Sequence, residues 1–130
     1  MSTLEVSNLN DGTTTVATTY VTNGSAKSWC GWDNSGTTTV VDSLNISSVT
    51  DVGTGQYTTN YSSAFANIGY AVSTSGKEST GSSHSSNVDR LFNPSRVLYE
   101  TGLTKFTAVN LSGTLQDLDN CTSSIHGDLA

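Results

Sequence analysis

Charge is what this chain has least of. Charged residues make up 12% of its 130 positions, where about a quarter is usual for a soluble domain. Only five are basic, and Lys27, Lys77, Arg90, Arg96 and Lys105 are scattered. Neutralising phosphates takes clustered Lys and Arg, and the net charge here is −6, so no nucleic-acid partner is expected. No apolar run approaches the ~20 residues needed to cross a bilayer, which argues against membrane insertion. The opening MSTLEVSNLN lacks a basic stretch followed by an apolar one and does not read as a secretory signal. Synthesis in a cytosol is the expectation.

Reactive groups are equally thin. Cys30 and Cys121 lie far apart in sequence. In a cytosolic product they read as two free, structural thiols rather than a disulfide. With His84 and His126 they do not make the paired spacing of a zinc site. Asp117-Leu118-Asp119 would put two carboxylates on one strand face, but calcium takes six to eight oxygens and no Gly-rich acidic loop surrounds them, so a solvated turn is the better reading. Asp33, Asp42 and Asp51 stand beside turns, where Asp caps backbone N–H groups. Gly53-Thr54-Gly55 is too short for a phosphate loop and no Lys follows it in place. A glycosidase needs two carboxylates ~5–10 Å apart in a groove; besides the aspartates, only Glu5, Glu78 and Glu100 are on hand. Five Asn-x-Ser/Thr triplets, starting at Asn23, Asn45, Asn60, Asn110 and Asn120, are what chance gives so hydroxylated a chain. The expectation is a non-enzymatic protein with no catalytic residue, cofactor or metal.

What the chain does have is hydroxyls and turns. Ser and Thr make up roughly a third of it. Thr packs well on pleated surfaces, while Ser, Asn and Gly favour turns. Turn signals recur at Asp11-Gly12, Asn23-Gly24, Asn34-Ser35-Gly36, Val52-Gly53-Thr54-Gly55, Ser75-Gly76, Thr101-Gly102 and Ser112-Gly113, a rhythm typical of sandwiches and barrels. Period-two patterning joins Val16 with Tyr20, Leu44 with Ile46, Tyr57 with Thr59 and Tyr61, and Ile68 with Tyr70 and Val72. Ser47-Ser48 shifts the parity, as a bulge or strand end would. No segment carries a helical stripe; Asn93–Glu100 suits one helical turn behind Pro94 or an edge strand. The predicted fold is all-β: a small antiparallel sandwich or jelly-roll-like domain over 24–130, preceded by a lead-in strand segment over 1–23. Thr74–Val88, dense in Ser and Gly and free of aromatics, is expected to be a long loop.

Large apolar residues are few. Trp29, Trp32, Phe65, Tyr70, Phe92, Tyr99 and Phe106 are expected to supply much of the buried area, at ~25 cal/mol per Å². A core this poor in Leu and Ile predicts an oligomer, which would bury more surface and cover strand edges. Trp29 and Trp32, three apart, leave a strand on opposite faces. One belongs in the core; the other is a partner-contact candidate, buried against a neighbouring subunit in the preferred reading or stacked on a sugar ring in the other.

A resemblance covers most of the chain. It opens with Ala26-Lys27-Ser28-Trp29 and an Asn/Gly turn. It continues through Asp42–Asp51 and Gly53-Thr54-Gly55-Gln56-Tyr57, then Asn67-Ile68-Gly69-Tyr70-Ala71-Val72. This sequence resembles modules of bacteriophage tail-fibre-type surface proteins. Val109-Asn110, Leu111-Ser112-Gly113-Thr114 and Ile125-His126-Gly127-Asp128 resemble the closing hairpin of such modules, and Met1–Asn23 an attachment segment. Cys30-Gly31-Trp32 and the Ser-rich loop depart from the pattern. The resemblance implies a non-enzymatic virion protein, a trimer contacting other virion proteins. Its first role would be a short tail-fibre or tail-associated protein for host attachment, reaching a host surface glycan through multivalent weak contacts. The alternative is a capsid decoration (cement) protein. The shortness of the chain and its lack of coiled-coil heptads favour that alternative.

Overall fold

In the computed structural model, the structure describes residues 5–77, 90–92, 98–110 and 112–130. Strands dominate. β1 (Asn8–Asn10) and β2 (Thr15–Ala17) form a hairpin, followed by the helix α1 (Thr18–Gly24). β3 (Ser28–Asp33), β4 (Thr39–Leu44), β5 (Ile46–Gly53), β6 (Gln56–Tyr61), β7 (Ala71–Lys77), β8 (Arg90–Phe92), β9 (Leu98–Glu100), β10 (Leu103–Asn110) and β11 (Asn120–His126) build the body.

Two antiparallel sheets face each other in a sandwich-like arrangement. One runs β5-β6-β10-β8, with β9 also paired to β10; the other runs β4-β3-β11-β7. Alternation assigns the faces: β3 reads buried, half-buried, buried along Ser28–Asp33, and β11 buries Cys121, Ser123 and Ile125. Trp32 lies 6.0 Å from Tyr57 and 6.2 Å from Phe106, ring to ring, so the two sheets meet through aromatics. Cys30, Cys121, Ala108 and Leu118 complete that cluster. A second cluster gathers Tyr61, Phe65, Tyr70 and Ile125, with the Phe65 and Tyr70 rings 4.7 Å apart. Tyr57, Tyr61, Leu118 and Ile125 thus join the expected core, while Trp29 is only half-buried.

Buried threonine explains part of the unusual composition. Thr59 and Thr104 face each other across β6 and β10, both fully buried. The Thr104 hydroxyl meets the Tyr61 hydroxyl, and the Tyr70 hydroxyl at 2.7 Å. Tyr70 also donates toward the carbonyls of Glu100 at 3.0 Å and Leu103 at 3.2 Å. A Val at 104 would have the shape without the partners, which is why a polar residue sits there.

Turn chemistry positions the sheets. Asn45, at φ 56, carries the chain from β4 in one sheet to β5 in the other. Its side chain accepts from Ser63 N–H at 2.7 Å and donates to the Ser63 carbonyl at 3.1 Å. The register shift between Ile46 and Ser48 falls where Ser47-Ser48 breaks the sequence parity. Gly55, at φ 65, lies against β10 so closely that a Cβ there would sit 2.5 Å from the Ala108 carbonyl oxygen.

Several expectations are corrected. Val16 and Tyr20 do not share a strand face, because the chain turns helical at Thr18. With Thr18, Thr19, Val21 and Thr22 β-branched, the helix has poor intrinsic propensity and no apolar stripe; Lys27 reaches back to the Thr22 carbonyl at its end. Leu44 and Ile46 part at Asn45, leaving Leu44 48% exposed while Ile46 packs on the core. Ile68 is 61% exposed although Tyr70 is buried. Ser75-Gly76 is no turn. Thr74–Lys77 belong to β7 and pair with Asn120–Ser123 of β11, whose ladder outweighs the loop-like composition; the rest of the expected loop, 78–88, lies outside the described residues. Asp117 and Asp119 share no strand, since 116–118 is irregular. Of the Asn93–Glu100 segment, Leu98–Glu100 is a strand on β10, and 93–97 lies outside the described residues.

Candidate functional site

The outer face of the β4-β3-β11-β7 sheet is where the chain presents an aromatic ring among hydroxyls. Ser28, Cys30 and Trp32 point into the body, so Trp29, Gly31 and Asp33 point away from it. Residues directly opposite in an antiparallel ladder share a face. One row therefore runs Leu44, Trp29, Ser124, Ser73. The next runs Asp42, Gly31, Thr122, Ser75, and a third Thr39, Asp33, Asn120, Lys77.

Side-chain hydrogen bonds organise this surface. The Ser75 and Thr122 hydroxyls are 2.7 Å apart. Ser124 Oγ lies 3.3 Å from Nε2 of His126, whose Nδ1 is 3.1 Å from the Gly24 carbonyl oxygen. A shallow groove of about 250 Å³ runs along Ser73, Thr74, Ser75, Thr122, Ser123 and Ser124. Beside the indole, a Cβ on Gly31 would meet nothing within 4 Å, so the missing side chain leaves a gap in the surface. Asp42 is exposed, with Oδ1 accepting the Ser43 N–H at 2.8 Å. Asp33 accepts the Ser35 N–H at 2.8 Å, which lowers its pKa from the ordinary value.

The predicted partner-contact pair separates. Trp29 stands half-buried on this outer face, and Trp32 is 1% exposed in the core. The flanking Ser73, Ser75, Thr122 and Ser124 were not singled out from sequence, and Asp42 was read only as a cap beside a turn. Their signal is the alternation in Ala71–Lys77 and Asn120–His126, which Ser and Gly content disguises as loop.

Other chemistry-bearing groups are engaged in structure. Cys30 and Cys121 are free and buried; burial, then Asp42, pushes the Cys30 thiol up to about 11, and burial, then Asp119, the Cys121 thiol up to about 12. Asp117 accepts the Gly55 N–H at 2.6 Å and Asp51 that of Gly53 at 3.0 Å. Among the described residues, no group of three or more His, Cys, Asp or Glu is placed to hold a metal ion. No helix among them is long and apolar enough to cross a membrane. Glu78 and His84 lie outside the described residues.

A second surface is the N-terminal arm. No residue of the described arm up to Gly24 is buried. Val6, Leu9, Val16, Tyr20 and Val21 are 38–75% exposed. Two strands of three residues and a seven-residue helix supply no core of their own. The loop between the strands is ordered locally: Asp11 accepts the N–H groups of Thr13 and Thr14 at 2.9 and 2.7 Å, which pull its carboxyl down to about 2, the Thr14 contact contributing most.

Comparison with protein-family models, curated proteins and solved structures finds no match.

Proposed function

We propose that this chain is a non-enzymatic surface protein of a bacteriophage particle, a short tail-fibre or tail-associated attachment protein acting as a trimer. The observation that carries the reading is the contrast between an exposed arm and a packed body. The described arm carries secondary structure yet has no buried residue, and it exposes Leu9, Val16, Tyr20 and Val21. Apolar surface of that kind favours association with a neighbouring subunit or virion protein. The body is sandwich-like with an aromatic core between its sheets, and its outer sheet face is hydroxyl-rich. Assembly through the arm and recognition through the body is the arrangement a multivalent attachment protein needs. The sequence resemblance supplies the phage context.

One observation favours decoration of the capsid instead. The described residues contain no shaft-forming element, and α1 spans only seven residues, so the arm suits clamping onto a shell subunit as well as joining a fibre.

Gold-labelled antibody on intact particles, viewed by electron microscopy, separates the two. Label at tail or fibre tips is expected. Label distributed over the head replaces attachment with decoration, and absence of label from particles removes both.

A further inference from the structure

We propose that the outer face of the β4-β3-β11-β7 sheet binds a neutral saccharide, with one pyranose ring stacked on Trp29 and its hydroxyls met by Ser124, Thr122, Ser75 and Asp42. This rests on the attachment reading and names the chemical class of its target.

Three features of the face converge on that ligand. Trp29 is half-buried in the outer row between Leu44 and Ser124. An indole supported in this way offers apolar surface to the C–H face of a sugar ring, removing both from water. Gly31, two residues on and on the same face, leaves room for such a ring, since nothing lies within 4 Å of where its Cβ would be. The Ser75–Thr122 hydroxyl pair at 2.7 Å keeps one free donor and acceptor lone pairs, and the Ser124 hydroxyl, 3.3 Å from Nε2 of His126, keeps lone pairs to accept. A sugar hydroxyl is both donor and acceptor, so it matches either role.

Charge selects a neutral sugar over an acidic one. Among the described residues of the face, Asp42 and Asp33 are the carboxylates, and Lys77 sits on its far strand. With a net charge of −6 on the chain, a uronate or sialyl group would approach against the field, while a neutral ring uses Asp42 as a hydrogen-bond acceptor.

The rival occupant is a second protein surface. Interface centres are depleted in Ser and Asp and gather aromatics, Met and Arg. Here a single indole stands with the exposed Leu44 opposite it on one side and Ser73, Ser75, Thr122, Ser124 and Asp42 on the others, a composition richer in hydroxyls than an interface centre. The groove along β7 and β11 is shallow and open, so each site is weak, and binding strength would come from several copies engaging one polymer.

The test uses the full chain in its native oligomeric state, titrated with dextran, mannan and galactan, and with polygalacturonate as the anionic comparison. Binding is followed by Trp emission and by saturation-transfer NMR. At least one neutral polymer is expected to bind, and polygalacturonate roughly tenfold more weakly. Trp29→Ala should weaken binding by roughly tenfold or more with unchanged circular dichroism, while Trp29→Phe retains most of it. Ser75→Ala with Thr122→Ala, two exposed changes that leave the core untouched, should weaken it too. Failure of all three neutral polymers to bind, equal binding of polygalacturonate, or undiminished binding by the Trp29→Ala and Ser75→Ala/Thr122→Ala variants overturns the site. Tail-tip label on particles together with no saccharide binding would remove this site and leave attachment standing; head label with binding lost in Trp29→Ala would do the reverse.

Discussion

Trp29 and Trp32 leave the same strand in opposite directions: Trp32 packs 6.0 Å from Tyr57 in the core, and Trp29 stands on the outer face opposite Ser124. The pair therefore separates the core from the outer face, and with it the proposed saccharide site, within four residues. Trp32→Ala opens a cavity between the sheets and should cost about 3–5 kcal/mol. Trp29→Ala, on the surface, should cost less than about 1 kcal/mol. Urea unfolding of both variants checks the order, and equal losses would mean that Trp29 is also a core residue.

Gly55 is held where no side chain fits. Its φ of 65 is left-handed, and a Cβ would lie 2.5 Å from the Ala108 oxygen and 2.7 Å from the Gln116 nitrogen. Gly55→Ala should destabilise by more than about 2 kcal/mol. Gly36→Ala, where the added methyl meets nothing within 4 Å, should stay within about 0.5 kcal/mol of the parent. Thermal unfolding of the two beside Gly113→Ala, where φ is 78 but the added methyl meets nothing within 4 Å, separates close approach from backbone strain as the cause.

The Thr104 hydroxyl links two tyrosines in the core, Tyr61 and Tyr70. Thr104→Val keeps the shape and removes the link. A loss of about 1–3 kcal/mol is expected, and a double-mutant cycle with Tyr61→Phe should show the two changes to be non-additive. Simple additivity would mean that the hydroxyls do not act together.

Alkali should weaken the fold through its buried acids. Burial raises Cys30 to about 11, and burial raises Cys121 to about 12 and Tyr57 to about 12. The unfolded thiol ionises near about 8.5 and the unfolded phenol near about 10. The folded state therefore holds these protons longer, so their stabilisation is complete below the unfolded values and is lost as pH rises through the folded ones. Denaturant midpoints should fall from about pH 8 to about pH 11, and less steeply in Cys30→Ala/Cys121→Ala. A thiol reagent should label neither cysteine in the native protein at neutral pH and both after unfolding.

Much of the architecture was legible from local chemistry. The Asp caps at Asp33 and Asp51, the alternation of Tyr57, Thr59 and Tyr61, and the parity break at Ser47-Ser48 are short-range signals, and the structure repeats them, whereas Asp42, read as a cap beside a turn, lies within β4 opposite Gly31. What sequence hid depends on partners far along the chain. Thr74–Lys77 looks like loop until β11 supplies a ladder, and the helix at Thr18–Gly24 contradicts its own β-branched residues. The candidate site shares that difficulty. Trp29 was visible alone, but Ser73, Ser75, Thr122 and Ser124 come beside it only through pairings that span more than forty residues on one side and ninety on the other.

Adsorption of particles to host cells pre-saturated with the purified protein tests the attachment account most directly. The account predicts that the parent protein blocks adsorption and that Trp29→Ala, folded and oligomeric, blocks far less. Unchanged adsorption after saturation with the parent protein would contradict it.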